Sequence, residues 1–204
     1  VADVLSVACG GHADDEQSMT RIARFCAGKQ RPRIGAHPSY PDREGFGRRS
    51  LRMEPDALRL TVAAQCRALA AIAAAHGQRV GWVKPHGALY HDAARNEVMS
   101  RELLDGVREA LGTEPVIIGP ATGWLRETST ALGMQYLREG FADRATCPDG
   151  SLVPRNEPGA LITDPQLAAA RARELVGTVD TICVHADTPG ALAIARAVRE
   201  AIDG

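Results

Sequence analysis

Residues 79–90 read RVGWVKPHGALY. Val80–Val83 is a short apolar run with the composition of a buried strand, and it stops at Lys84-Pro85-His86-Gly87. Pro85 and Gly87 are enough to turn the chain, since one fixes φ and the other tolerates almost any. Lys84 and His86 are therefore left over and need a separate explanation. The same grammar recurs along the chain. Apolar runs at 4–8, 33–36, 80–83, 116–118, 134–137 and 181–184 predict strands. Helical patterns at 16–27, 55–76, 96–111, 123–132, 165–176 and 189–202 alternate with them, and Leu58, Val62, Leu69 and Ile72 form the apolar stripe of the second. Asp164-Pro165 and Thr188-Pro189 each place a capping side chain before a helix-starting proline. Gly77, Gly112 and Gly133 stand just past helix ends. Strands separated by helices imply parallel pairing, because a parallel neighbour is reached only through a crossover. One α/β domain spanning 1–204 follows, and pattern alone leaves a closed barrel and an open sheet both available.

The chain has 204 residues, 45% hydrophobic and 24% charged, with a formal net charge of -1. No basic field favours nucleic acid, and aromatics at 4% offer no platform for base stacking. The longest apolar segment is interrupted by Arg59, Gln65 and Arg67, so it reads as an amphipathic helix and no membrane span is expected. Five scattered cysteines without a C-x-x-C pair point to neither a disulfide framework nor a zinc knuckle, and a reducing cytoplasm suits them. The N-terminus lacks the pattern of a signal peptide.

Four of the six histidines follow a predicted strand. ACGGHADD carries His12, Asp14 and Asp15; IGAHPSYPD carries His37, Tyr40 and Asp42; VKPHGALY carries Lys84 and His86; CVHADTPGA carries His185 and Asp187. The fifth strand leads into REGFADRA, with Asp143 and Arg144. In parallel α/β proteins that edge is where ligands bind, so a shared site is expected there. The loop Gly45-Phe46-Gly47-Arg48-Arg49 reads either as an anion-binding loop or as a solvated turn. Asp149-Gly150 reads as a turn. His76 and His91 read as structural, and Cys9 and Cys183 as small core residues. The phosphate-loop, dinucleotide and hydrolase-elbow signatures are absent, and no histidine spacing is specific for a metal.

Taken in order, ACGGHADD, IGAHPSYPDREGFGRR, VKPHGALY, EGFADRA, DGSLVPR, EPGALI and DTICVHADTPGA resemble the LamB/YcsF family over about Ser6 to Ala201. The resemblance implies a (β/α) barrel of the glycoside hydrolase/deacetylase type, seven-stranded, with the first strand missing from this chain. It further implies ATP-dependent opening of the lactam of 5-oxoproline to L-glutamate, with ATP carried as its Mg complex and two partner subunits, B and C. A homo-oligomer is also compatible with it. The family's opening acidic motif is expected before Val1, and a longer connection between Val176 and Asp180 than the four residues GTVD. Gly11 stands where the family usually has an aromatic, and Asp14, Ser39 and Ala186 where it usually has glycine.

On this reading His12, Asp15, Lys84, His86, His185 and Asp187 are the expected catalytic residues. His37, Tyr40, Arg48, Arg49, Asp143 and Arg144 are expected to bind substrate or ATP. Lys84 is the expected cation for phosphate or carboxylate, and His12 or His86, oriented by Asp15 or Asp187, the expected base. A metal-dependent amide hydrolase, deacetylase-like, and a non-catalytic subunit are the alternatives.

Overall fold

Each apolar run identified above becomes a strand. In the computed structural model, which describes residues 1–28, 32–147 and 151–204, these are β1 (Val4–Ala8), β2 (Arg33–His37), β3 (Val80–Val83), β4 (Val116–Gly119), β5 (Tyr136–Phe141) and β6 (Thr181–Cys183). The helices are α1 (Glu16–Cys26), α2 (Pro55–Ala75), α3 (Gly87–Arg95), α4 (Glu97–Leu111), α5 (Trp124–Ala131), α6 (Pro165–Leu175) and α7 (Ala191–Asp203). The expected α/β class is correct. Six strands are seen among the described residues, and a seventh is not among them. The Asp149-Gly150 turn lies outside the described residues.

The chain divides into two compact units, Asp3–Leu137 and Arg138–Gly204 with Val1–Ala2. In the first, β1, β2, β3 and β4 pair in parallel in chain order. Ala8 lies opposite His37, Ala36 opposite Val83, and Val83 opposite Ile117, so the carboxyl ends of neighbouring strands are level. The core gathers Val7, Ile34, Ala36, Val83 and Ile117 from the strands, with Leu58, Val62, Leu69, Leu103, Leu104 and Val107 from α2 and α4. In the second unit β5 pairs with β6 in parallel, Phe141 opposite Cys183. A smaller core forms there from Ala142, Ala168, Ala172, Ile194 and Val198.

Local chemistry sets most of the boundaries. Asp15 caps α1 in a capping box with Ser18, Asn96 caps α4, and Asp164 caps α6 ahead of Pro165. Helix α2 is long and apolar enough to cross a membrane by length and composition, but Leu58, Val62, Ala63, Cys66, Leu69 and Ala73 are buried in the core of its unit. Each fully buried Leu or Val there contributes about 1.5–3 kcal/mol of transfer free energy.

Three elements differ from expectation. Helix α3 was read only as a turn: it is short, it opens on a glycine at φ +58, and Lys84-Pro85-His86 masks its start. Strand β5 begins two residues late and runs on to Phe141, because Arg138 inside it is paired with Asp180 through a bidentate contact at 2.8 and 2.9 Å. Helix α7 starts at Ala191 instead of Pro189, since the hydroxyl of Thr188 donates to Asp143 and caps nothing.

Candidate functional site

In the first unit, level strand ends bring three histidines together. His37 is the last residue of β2. Lys84 and His86 follow β3 and extend its pairing, Lys84 N donating to Ala36 O at 2.9 Å and His86 N to Pro38 O at 2.8 Å. His12 follows β1 and is buried, its ring stacked on His86 at 3.6 Å with 6° between planes. His37 and His86 then form a chain of hydrogen bonds. His37 Nδ1 meets Lys84 O at 2.6 Å, His37 Nε2 meets His86 Nδ1 at 2.9 Å, and His86 Nε2 meets Phe46 O at 2.9 Å.

Both ends of that chain are carbonyls, which only accept. Three bonds in series therefore need three N–H protons across two rings, one more than two neutral imidazoles carry. Burial first, then the charges of His86 and Lys84, hold the His37 pKa well below 6.5 against the pull of the Lys84 carbonyl, so His37 is the neutral member. Both nitrogens of His86 are occupied, one by His37 and one by the Phe46 carbonyl. The charge of the buried Lys84 beside them suits a negatively charged group.

The glycine-rich loop lies against these rings. The Phe46 ring sits edge-on to His12 at 5.2 Å and to His86 at 5.4 Å. Gly47, at φ +66, passes so close that a Cβ there would stand 2.9 Å from His12 Cβ and 3.0 Å from His86 Cδ2. Arg48 stacks on the Phe46 ring at 4.8 Å, and Arg49 is bound to Asp42 and Glu44. The Asp42 carboxyl is held down to about 2 by those bonds from Arg49. Arg49 is therefore paired within the loop, which is a turn over 43–47 with Arg48 and Arg49 exposed, as the solvated-turn reading expected.

Other expected residues are placed elsewhere. Asp15 is exposed and committed to capping α1, so it orients no histidine. Tyr40 is fully buried, and its hydroxyl donates to Asp92 at 3.0 Å, a contact that ties the β2 loop to α3. Cys9 is buried and its thiol is pushed up to about 12, as a small core residue. The departures at Gly11 and Ser39 are spatial neighbours. A Cβ on Gly11 would stand 2.6 Å from Ser39 Oγ, while Gln65 brackets Ser39 by accepting from its N at 3.0 Å and donating to its O at 2.7 Å.

The second unit holds a different arrangement. Phe141 pairs with Cys183, so Asp143 just beyond β5 reaches His185 just beyond β6. The Asp143 carboxylate is fully buried. It accepts from His185 N at 2.9 Å, from His185 Nδ1 at 2.9 Å and from Thr188 Oγ1 at 2.5 Å. Burial alone would raise its pKa, but these donors and the imidazole charge outweigh burial and hold it below the usual carboxylate range. With Nδ1–H turned to Asp143, His185 presents Nε2 as a proton acceptor, the arrangement of an oriented general base. Asp187 was expected to orient a histidine; it pairs with Arg155 at 2.8 Å. Arg144 was expected to bind an anion; its guanidinium donates to Val153 O at 2.6 Å and Ala160 O at 3.3 Å and anchors the 151–161 loop.

Sequence reading missed Arg155, although DGSLVPR contained it, and it took Thr188 for a helix cap. No signal in the sequence marks either, because both act through partners more than 30 residues away. Among the described residues, no group of three or more His, Cys, Asp or Glu is disposed to hold a metal ion.

Strands paired in parallel, with titratable side chains collected just past their carboxyl ends, define an α/β protein of the class that binds ligands at that edge. The chain belongs to the LamB/YcsF family, whose profile matches residues 2–204. It is similar to the A subunit of 5-oxoprolinase from Methylococcus capsulatus, 43% identical over 95% of this chain and 79% of the relative. It is likewise similar to the protein of that name from Pyrococcus furiosus, 37% identical over 97% of this chain and 82% of the relative. Among solved structures it resembles the lactam utilization protein from Thermus thermophilus, with a TM-score of 0.88 and 33% identity over 98% of this chain and 85% of that one.

Proposed function

We propose that this chain is the A subunit of a multi-subunit 5-oxoprolinase that opens the lactam of 5-oxoproline to L-glutamate at the expense of ATP. The relatives' names support a role in 5-oxoproline metabolism, and the Asp143–His185 dyad is the observation that carries the hydrolytic assignment. The same reading carries the barrel architecture expected from the family, and subunits B and C as partners.

A five-membered lactam resists water, so its carbonyl must be activated. ATP, supplied as substrate with its Mg, transfers a phosphoryl group to the lactam oxygen. Water then attacks the reacting carbon, giving its proton to His185 Nε2, while Asp143 stabilises the imidazolium that forms. Collapse breaks the C–N bond, and the nitrogen is protonated. The acyl phosphate left behind is hydrolysed by a second water to glutamate and inorganic phosphate. Within the first unit, Lys84, beside the His37–His86 pair, offers positive charge to an anionic group. His12 packs the face of that pair.

The test is reconstitution with the two partner subunits and measurement of 5-oxoproline-dependent ATP hydrolysis and glutamate formation. Activity is expected when the partners are present, and Lys84→Met is expected to abolish it. A complete, folded three-subunit complex with no 5-oxoproline-dependent ATP hydrolysis rejects the proposal.

A further inference from the structure

One short turn grips the Asp143 carboxylate. Residues 185–188 read HADT, and Thr188 N donates back to His185 O at 3.3 Å, closing the turn. Three donors from it reach Asp143, and they divide its oxygens. Oδ1 takes the imidazole Nδ1–H at 2.9 Å. Oδ2 takes the His185 backbone N–H at 2.9 Å and the Thr188 hydroxyl at 2.5 Å. The terminal torsion of an aspartate is broad, so nothing within the side chain fixes this division. The pins on Oδ2 do, and the hydroxyl is the shorter of the two.

The hydroxyl proton has one destination. Arg155 Nη2, which can only donate, approaches Thr188 Oγ1 at 3.4 Å, while the ionised Asp143 can only accept. A hydroxyl carries a single proton, and 2.5 Å is the spacing of one given to a charged carboxylate. Thr188 is 3% exposed and Asp143 fully buried, so bulk water does not compete for these oxygens.

Few charged groups approach the set. Arg155, from the 151–161 loop, is paired with Asp187 at 2.8 Å, and Arg144 turns its guanidinium to Val153 O and Ala160 O. Phe141 of β5 lies flat against the His185 ring at 5.5 Å. Helices α6 and α7 pack Ala168, Ala172, Ile194 and Val198 with Ala142, the residue before Asp143. The hydroxyl is therefore the contact through which this buried carboxylate is tuned without altering a charge.

Resting on the lactam-hydrolysis reading above, we propose that Thr188 is a positioning residue for the base: its hydroxyl fixes Asp143 with Oδ1 towards His185 and takes up part of the carboxylate's charge. His185 then releases its proton readily enough to accept another from water. Without the hydroxyl, more of the carboxylate charge falls on the imidazole, and the Asp143–His185 pair keeps its proton to higher pH.

The test is the pH dependence of glutamate formation by the complex reconstituted with its partner subunits, comparing wild type, Thr188→Val and Thr188→Ser. Valine keeps the volume and removes the donor. It is expected to lower kcat about tenfold and to move the acid limb of kcat/KM up by about one pH unit, the effect of one hydrogen bond to a charged group. Serine restores the hydroxyl and is expected to stay within about twofold of wild type, with the limb in place. In an Asp143→Asn background the change to valine should alter kcat by less than about twofold, because its route is gone. If the valine variant does not fold, Thr188→Ala carries the same comparison. A folded valine variant with wild-type kcat, a loss without movement of the limb, a serine variant as impaired as valine, or an undiminished loss beside Asp143→Asn each overturns the role of Thr188 and leaves the lactam-hydrolysis reading standing. A wild-type complex that consumes no 5-oxoproline overturns that reading, and this role with it.

Discussion

Single side chains carry the chemistry, and their partners decide which does what. Asp143 and His185 are 42 residues apart and still share two hydrogen bonds of 2.9 Å. Asp143→Asn keeps the shape of the carboxylate but removes its charge and presents an amide to Nδ1, leaving the imidazolium unsupported. General acid–base catalysis contributes roughly 10²- to 10⁴-fold, so kcat of the reconstituted complex is expected to fall at least about 10²-fold. Unchanged kcat in a folded D143N complex would remove His185 from the base role. His37 makes a second prediction. Its folded pKa lies well below the unfolded value near 6.5, so its contribution to stability is complete above pH 6.5. Below 6.5 the unfolded chain binds a proton that this ring refuses, and stability falls by about 1.4 kcal/mol per pH unit until the folded pKa is reached. Urea midpoints between pH 4 and 8 check it: His37→Asn should show a shallower acid slope than wild type, and equal slopes would contradict the assignment. Asp15, His12, Lys84 and His86 were all visible as polar residues after strands. What the sequence did not reveal was that Asp15 caps a helix and that His86 spends both nitrogens on partners, because neither depends on spacing.

Elements were the most readable level, for a physical reason. Strand and helix periods are local, and caps such as Asp164-Pro165 and Asn96 act within four residues. Two of the three misreadings fall where a long-range contact overrode the local signal: Asp180 drew Arg138 into β5, and Asp143 took the hydroxyl of Thr188 from α7. Helix packing shows the same dependence. Gly106 lies inside α4, where glycine costs about 1 kcal/mol relative to alanine. Yet a Cβ there would stand 2.5 Å from Arg59 O and 3.2 Å from Val62 Cβ, both on α2. A backbone carbonyl cannot step aside as a flexible side chain can, and overpacking costs roughly 1–3 kcal/mol. The second effect wins, so Gly106→Ala is expected to lower the thermal or urea midpoint despite its better helix propensity. An unchanged or raised midpoint would show that α2 and α4 separate freely.

At the scale of the molecule, alternation of strand and helix over 204 residues determined by itself that the pairing is parallel and that functional groups follow the strands, since a parallel crossover leaves no other economical route. The ordered peptides from ACGGHADD to DTICVHADTPGA determined the family. Tertiary structure decided the assignment of roles. It put His12, His37 and His86 into one cluster through level strand ends, and Asp143, His185, Thr188, Asp187 and Arg155 into another. It also turned Arg49 and Arg144 into loop anchors while leaving a nitrogen of Arg155 without an acceptor among the described residues. The division follows the range of the forces. Periodicity and capping act within a few residues and can be read along the chain, whereas a proton's position depends on which acceptors stand within about 3 Å, and only the folded backbone brings those acceptors near.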